Sequence, residues 1–171
     1  MLEFHGISAS PGIAIGTAFV YLEENPRVPK YEVEIEEVTS ELERFRTAVH
    51  RAKEELEAIR EKAAESDTRE NAGFLDSHLM MLEDPELHSD VENRLNDEQM
   101  NVEWILYKAI QELIDRLDST EDDYLRERTA DIRDVSKRVL NHLMHTERIS
   151  LADLESEVVL VAHDLLPSDA V

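Results

Sequence analysis

The strongest constraint on the fold is a long heptad pattern in the first half of the chain. Its spacing alternates between three and four residues, which keeps every member on one face of an α-helix over about four heptads. The pattern consists of Ile35, Val38, Leu42, Phe45, Val49, Ala52, Leu56, Ile59 and Ala63. A helix with an apolar stripe of this length needs partner helices to cover the stripe. The sequence therefore predicts a helical bundle.

Four more helices are predicted further along the chain. The second covers 69–82 and ends at Asp84-Pro85, because Asp84 can cap a third, short helix and Pro85 suits its first turn. The fourth spans about 101–118, and the fifth spans about 121–145 after a capping hydroxyl in the segment 119–123. The apolar face of the second helix carries Phe74, Leu75, His78, Leu79 and Leu82, and that of the fifth carries Leu125, Ile132, Val135, Val139 and Leu143.

Both ends of the chain carry strand patterns instead. Residues 4–22 include three of the four glycines and predict two short strands about a turn at Ser10-Pro11-Gly12. Residues 157–162 are apolar and rich in valine, as in a buried strand. The economical architecture is mainly α. A bundle of about four to five helices (31–145) is inserted into an incomplete α/β domain whose strands come from both chain ends (1–23 and 146–171).

The charge of the chain excludes several classes of partner. It has 18 Lys and Arg residues against 40 Asp and Glu residues, for a formal net charge of −22. Such a surface repels nucleic acid and anionic membranes, and it favours a partner with a basic face. No cysteine occurs, which excludes disulfides and thiolate metal sites. No apolar run approaches the roughly 20 residues of a membrane helix, and no secretory signal is present, so a cytoplasmic location is expected.

Four motifs in order cover nearly the whole chain. They are Gly6-Ile7 with the run ASPGIA at 9–14 and Gly16, the segment 78–87, the segment 123–134, and the segment 159–168. Together they resemble the Enzyme I family, the phosphoenolpyruvate–protein phosphotransferases of the bacterial sugar phosphotransferase system. The chain starts at the first motif, which favours the sugar branch over nitrogen-linked paralogues that carry an added N-terminal sensory domain.

The resemblance implies that full-length members move a phosphoryl group from phosphoenolpyruvate, through one of their own histidines, to the small carrier HPr. The implied partners are HPr, which docks on the helical insert, and a C-terminal barrel that binds phosphoenolpyruvate and Mg²⁺. The family's phosphohistidine lies in the α/β domain, which is therefore a partial phosphohistidine domain here. Its Gly-Gly-x-Thr-Ser-His pattern surrounds none of the seven histidines of this chain: His5, His50, His78, His88, His142, His145 and His163. We therefore expect no catalytic residue, metal site or cofactor in this chain, with Mg²⁺ only in the absent barrel, and no activity of this chain alone.

The corner between the second and third helices is the candidate docking site. Met80 lies off the apolar stripe of its helix, and flexible, polarizable methionine suits an interface. Acidic residues at the same corner would steer a partner with a basic rim. Arg128 lies near the apolar seam of the fifth helix, and the family has an arginine at this place. The candidate HPr-binding residues are Asp76, Met80, Met81, Glu83, Asp84, Leu87, Leu125 and Arg128.

Several of these residues also have a purely structural interpretation. Met80 and Met81 could fill gaps in the bundle, Leu87 could seal the third helix, and Asp84 could serve only as a helix cap. Arg128 could pair with Glu127 or Asp131. His78 is expected to be a hydrogen-bonded core residue, His142 and His145 are expected to stabilise a helix C-terminus rather than bind metal, and His163 is not expected to be a nucleophile.

Two other functions stay open at this point. One is a non-catalytic helical interaction module without a link to phosphotransfer. The other is a fragment of a related dikinase or synthase that uses phosphoenolpyruvate. The order of the four motifs favours the phosphotransferase, because a generic bundle needs neither the segment 9–14 nor a terminal strand.

Overall fold

The computed structural model of the protein describes residues 12–21, 27–65, 72–120, 122–145 and 157–162. A short 3-10 turn, Ile35–Glu37, leads into the first long helix. The elements in chain order are strand β1 (Thr17–Tyr21), helices α1 (Val38–Glu65), α2 (Ala72–Leu82), α3 (Pro85–Glu98), α4 (Val102–Asp118) and α5 (Asp123–Met144), and strand β2 (Val158–Ala162). The mainly α class, with strands from both chain ends, is confirmed.

The heptad stripe of α1 forms one wall of the core. Phe45, Ala52 and Leu56 are almost completely buried, as are residues of the long stripe on α4. Helix α1 packs against α2 and α5, α4 packs against α5, and α3 packs against α4 and α1. Burial of one such side chain contributes about 1.5–3 kcal/mol, so the shared core determines how the helices pack.

Among the heptad positions whose side chains the structure describes, one is not in the core. Ile35 is 52% exposed, because the chain at that point forms the 3-10 turn rather than α-helix. Three residues per turn instead of 3.6 rotate Ile35 away from the stripe that begins at Val38. The prediction that Ile35 belongs to the helical seam was therefore wrong.

The break between α2 and α3 forms as the sequence predicts. Asp84 has extended backbone angles, its carboxylate accepts a hydrogen bond from the Glu86 amide at 2.8 Å, and Pro85 occupies the first turn. Helix α5 begins two residues later than predicted, because the carboxylate of Asp122 is its cap and accepts from the Tyr124 amide at 2.9 Å. The hydroxyl of Thr120 instead accepts a hydrogen bond from the Asp122 amide.

A two-stranded parallel sheet joins the two ends of the chain. Strand β1 pairs with β2 in a register that runs from Thr17 opposite Val158 to Tyr21 opposite Ala162. The earlier of the two strands predicted within 4–22, most of its turn, and His5 and His163 lie outside the described residues. The domain boundaries at 23, 31 and 145 stay a prediction.

Candidate functional site

Exposed large apolar side chains occur on α2 and at the beginning of α5, two helices that are in contact with each other. Met80 on α2 is 74% exposed, and Tyr124 and Leu125 on α5 are 60% and 38% exposed. Within the described α-helices, Tyr107 on α4 is the one other large apolar side chain that is exposed. Exposed large apolar side chains on neighbouring helices of a highly charged protein make this region a candidate binding surface.

Helices α2 and α5 are held together beside these residues. The Nε2 atom of His78 lies 3.3 Å from a carboxylate oxygen of Asp131, and His78 is completely buried. Met80 follows His78 by two residues, and Arg128 precedes Asp131 by three. The prediction that His78 is a hydrogen-bonded core residue is confirmed. We define the corner surface as Asp76, Met80, Met81, Glu83, Asp84, Leu87, Tyr124, Leu125 and Arg128.

An apolar groove of about 160 Å³ opens at the corner surface. Met81, Asp84 and Leu87 line the groove together with Ile132 of α5, and its floor is made of core residues of α1, α4 and α5. Met81, Leu87 and Ile132 are partly buried and pack against the core. The two neighbouring methionines therefore differ, since Met81 faces the groove and the core while Met80 faces solvent.

The apolar stripe of α5 leads from the core to the corner surface. Val135, Val139 and Leu143 are buried, Ile132 is half-buried, and Leu125 is exposed. A stripe that continues beyond its covering helices leaves part of its apolar area in water. A partner that covered Leu125 and Met80 would therefore gain hydrophobic free energy on docking.

Arg128 is held in one orientation by its neighbours on α5. Its guanidinium donates to the Tyr124 hydroxyl at 2.7 Å and to the Asp131 carboxylate at 3.2 Å, and it lies 5.0 Å from the centre of the Tyr124 ring. The hydrogen bond to Tyr124, followed by that to Asp131, raises the pKa of Arg128 above its ordinary value. The predicted ion pair is confirmed with Asp131, while the side chain of Glu127 lies outside the described residues. A guanidinium has five N–H donors, so the fixed cation can still bind an anion.

Two of the three acids at the corner surface are already paired with cations of α1. Glu83 accepts a hydrogen bond from Lys53, and Asp76 accepts one from Arg60 at 3.0 Å. The hydrogen bond from Lys53, reinforced by its charge, holds the pKa of Glu83 below its usual range. Sequence reasoning missed Lys53, Arg60 and Tyr124. The sequence does contain signals for these contacts. Lys53 and Arg60 are seven residues apart, as are Asp76 and Glu83, and Tyr124 precedes Arg128 by four residues.

The other histidines that the structure describes lie in separate surroundings rather than in a shared site. His142 lies 3.0 Å from Glu55, His50 lies 3.5 Å from Glu54, and His145 ends α5 in a left-handed conformation. Within the described ranges, no group of three or more His, Asp or Glu side chains is arranged to hold a metal ion. In the same ranges, no helix combines the length and the apolar character that crossing a bilayer requires.

Comparisons with known proteins agree with the motifs. A family model described as "PEP-utilising enzyme, N-terminal" matches residues 5–128. The phosphoenolpyruvate-protein phosphotransferase of Listeria monocytogenes is 41% identical over 167 residues, which are 98% of this chain and 29% of that protein. The protein of the same name from Bacillus subtilis is 38% identical over 169 residues, again 29% of its length. This chain therefore spans about 29% of the length of these curated relatives.

Solved structures give the same assignment. An NMR solution structure of Enzyme I (nEIt) matches with a TM-score of 0.82 and 40% identity, covering 95% of this chain and 65% of that chain. The N-terminal domain of Enzyme 1 - Nitrogen matches with a TM-score of 0.69 at 23% identity, which shows the fold alone. The resemblance to the Enzyme I family is thereby confirmed. The chain belongs to the family of PEP-utilising enzymes, in its N-terminal part, and is similar there to phosphoenolpyruvate-protein phosphotransferases.

Proposed function

We propose that the corner surface docks HPr, the phosphocarrier protein, so that a phosphoryl group can pass between HPr and a histidine of a longer Enzyme I-type phosphotransferase that serves sugar uptake. The observation that carries the proposal is the exposed Met80 on α2, whose sequence neighbour Met81 lines an apolar groove together with Asp84 and Leu87. A few anchor side chains and the pockets around them carry most of the binding free energy of a protein interface.

The chemistry of the reaction makes docking geometry decisive. Transfer of a phosphoryl group between two histidines requires that both side chains be positioned in line and that developing charge be stabilised. A surface built on packed helices holds a partner more precisely than a loop does. Arg128, fixed by Tyr124 and Asp131, supplies a cation of constant orientation at this surface.

Charge supports the same partner. The net charge of −22 favours association with a protein that carries a basic face, and Glu83, Asp84 and Asp76 place exposed carboxylates at the corner surface. In this proposal, residues 31–145 form the docking domain, and residues 1–23 and 146–171 belong to the α/β phosphohistidine domain. Phosphoenolpyruvate and Mg²⁺ chemistry belongs to a C-terminal barrel outside this chain. This chain alone transfers no phosphoryl group.

Isothermal titration of the chain with HPr tests the proposal. We expect saturable one-to-one binding at low ionic strength that weakens as salt is added, because the Debye length falls from about 10 Å at 0.1 M to about 3 Å at 1 M. A basic protein of similar size that has no phosphocarrier function is the control, and it should give only weak, non-saturating heat. Absence of saturable binding of HPr at low salt would refute the proposed function.

A further inference from the structure

Helices α1 and α2 carry a regular ladder of ion pairs beside the corner surface. Lys53 pairs with Glu83, and Arg60 pairs with Asp76 at 3.0 Å. The two cations are seven residues apart on α1, and the two acids are seven residues apart on α2 in the opposite direction. This spacing follows from antiparallel packing, since two turns of one helix face two turns of the other.

The ladder is exposed and therefore easily broken. All four side chains are in substantial contact with solvent. Ion pairs of this kind contribute little to stability, because water screens them and two long side chains must be immobilised. Lys53 also has a second carboxylate within reach, since its Nζ lies 4.0 Å from Glu57 on its own helix. When Lys53 leaves Glu83, its charge can therefore still be compensated.

We propose that Lys53 and Arg60 act as internal competitors of the docking partner, occupying Glu83 and Asp76 in the free chain and releasing them to cations of the bound partner. This inference rests on the proposed docking function. The exchange makes binding selective, because only a partner whose cations replace both α1 side chains recovers the ion pairs that it breaks. It also moderates affinity, since each new ion pair is formed at the expense of an old one.

A different explanation would predict a similar effect of removing Lys53. Any cation near a basic partner repels it, whether or not that cation is paired with an acid. A double-mutant cycle separates the two explanations, because competition acts through Glu83 whereas general repulsion does not. The four proteins required are the unmodified chain, Lys53→Gln, Glu83→Gln and the double variant, each titrated with HPr at low salt.

Competition predicts that Lys53→Gln binds HPr about two- to fivefold more tightly, the range expected for one exposed ion pair. In the Glu83→Gln background, Lys53→Gln should bring no gain. The matched control is Lys108→Gln, which removes an exposed lysine paired with Glu98 at 2.9 Å away from the corner surface and should leave the affinity unchanged. Unfolding temperatures of all variants should agree closely, since the side chains are exposed.

Three outcomes contradict the inference. An equal gain from Lys53→Gln with and without Glu83 would assign the effect to general repulsion. Unchanged or weaker binding of Lys53→Gln, in a chain that otherwise binds HPr, would refute competition while leaving the docking function intact. Failure of the unmodified chain to bind HPr would refute the docking function, and the competition with it.

Discussion

Replacement of Met80 by aspartate is expected to lower the affinity for HPr by about tenfold to a hundredfold, the loss typical of an apolar anchor in an interface. The unfolding temperature changes by less than about 2 °C, because the Met80 side chain is 74% exposed and contributes little to the core. Isothermal titration and thermal denaturation measure the two quantities on the same protein.

The sign of this effect distinguishes apolar contact from charge. Aspartate adds a negative charge, which on its own would strengthen the attraction of a basic partner. A loss of affinity must therefore come from the missing apolar contact and from the cost of desolvating a carboxylate. Tyr107→Asp is the matched control, since it places the same charge at an exposed apolar position of α4 outside the corner surface. Met80→Leu should keep most of the affinity, and equal losses in Met80→Asp and Tyr107→Asp would contradict the assignment of the anchor.

The second large effect concerns the stability of the platform. Arg138 on α5 is nearly completely buried, where it pairs with Glu55 of α1 and lies 3.7 Å from the buried Asp134. Replacement of Arg138 by methionine keeps most of the volume but removes the cation beside a buried carboxylate. Removal of one member of a buried ion pair costs about 3–5 kcal/mol, so we expect a loss of that size in the free energy of unfolding.

Arg133→Met on the same helix provides the comparison. Arg133 is exposed and lies 3.6 Å from Asp118, so its loss should cost less than about 1 kcal/mol. Urea denaturation measures both values. Similar losses of unfolding free energy in Arg138→Met and Arg133→Met would contradict the claim that burial makes the ion pairs of Arg138 important for stability. The ion pair of Arg138 with Glu55 joins α5 to α1, so it helps to fix the position of the helix that carries Leu125 and Arg128.

The fold is largely predictable from local patterns. The heptad spacing predicts α1, and Asp84-Pro85 predicts the break between α2 and α3, because both signals act within a few residues of chain. Errors occur at element ends, where neighbouring groups compete. Asp122 caps α5 although hydroxyls stand nearby, and Ile35 fits the heptad but falls in a 3-10 turn.

The candidate site is only partly predictable, since much of it depends on which helices become neighbours. Met80 can be identified from sequence because it lies off the apolar stripe of its own helix. The pairing of Glu83 with Lys53 cannot be identified in this way, since it requires that α2 pack antiparallel to α1. The sequence predicts acids that steer a basic partner, whereas the structure shows that two of those acids already have cations.

The most direct test of the docking surface is a map of amide chemical shifts in the labelled chain as HPr is added. We expect the largest changes to fall within 76–87 and 124–132 and to diminish as salt is raised. Shift changes of equal size over the whole bundle, or changes concentrated where 40–51 meet 142–145, would contradict docking at the corner surface.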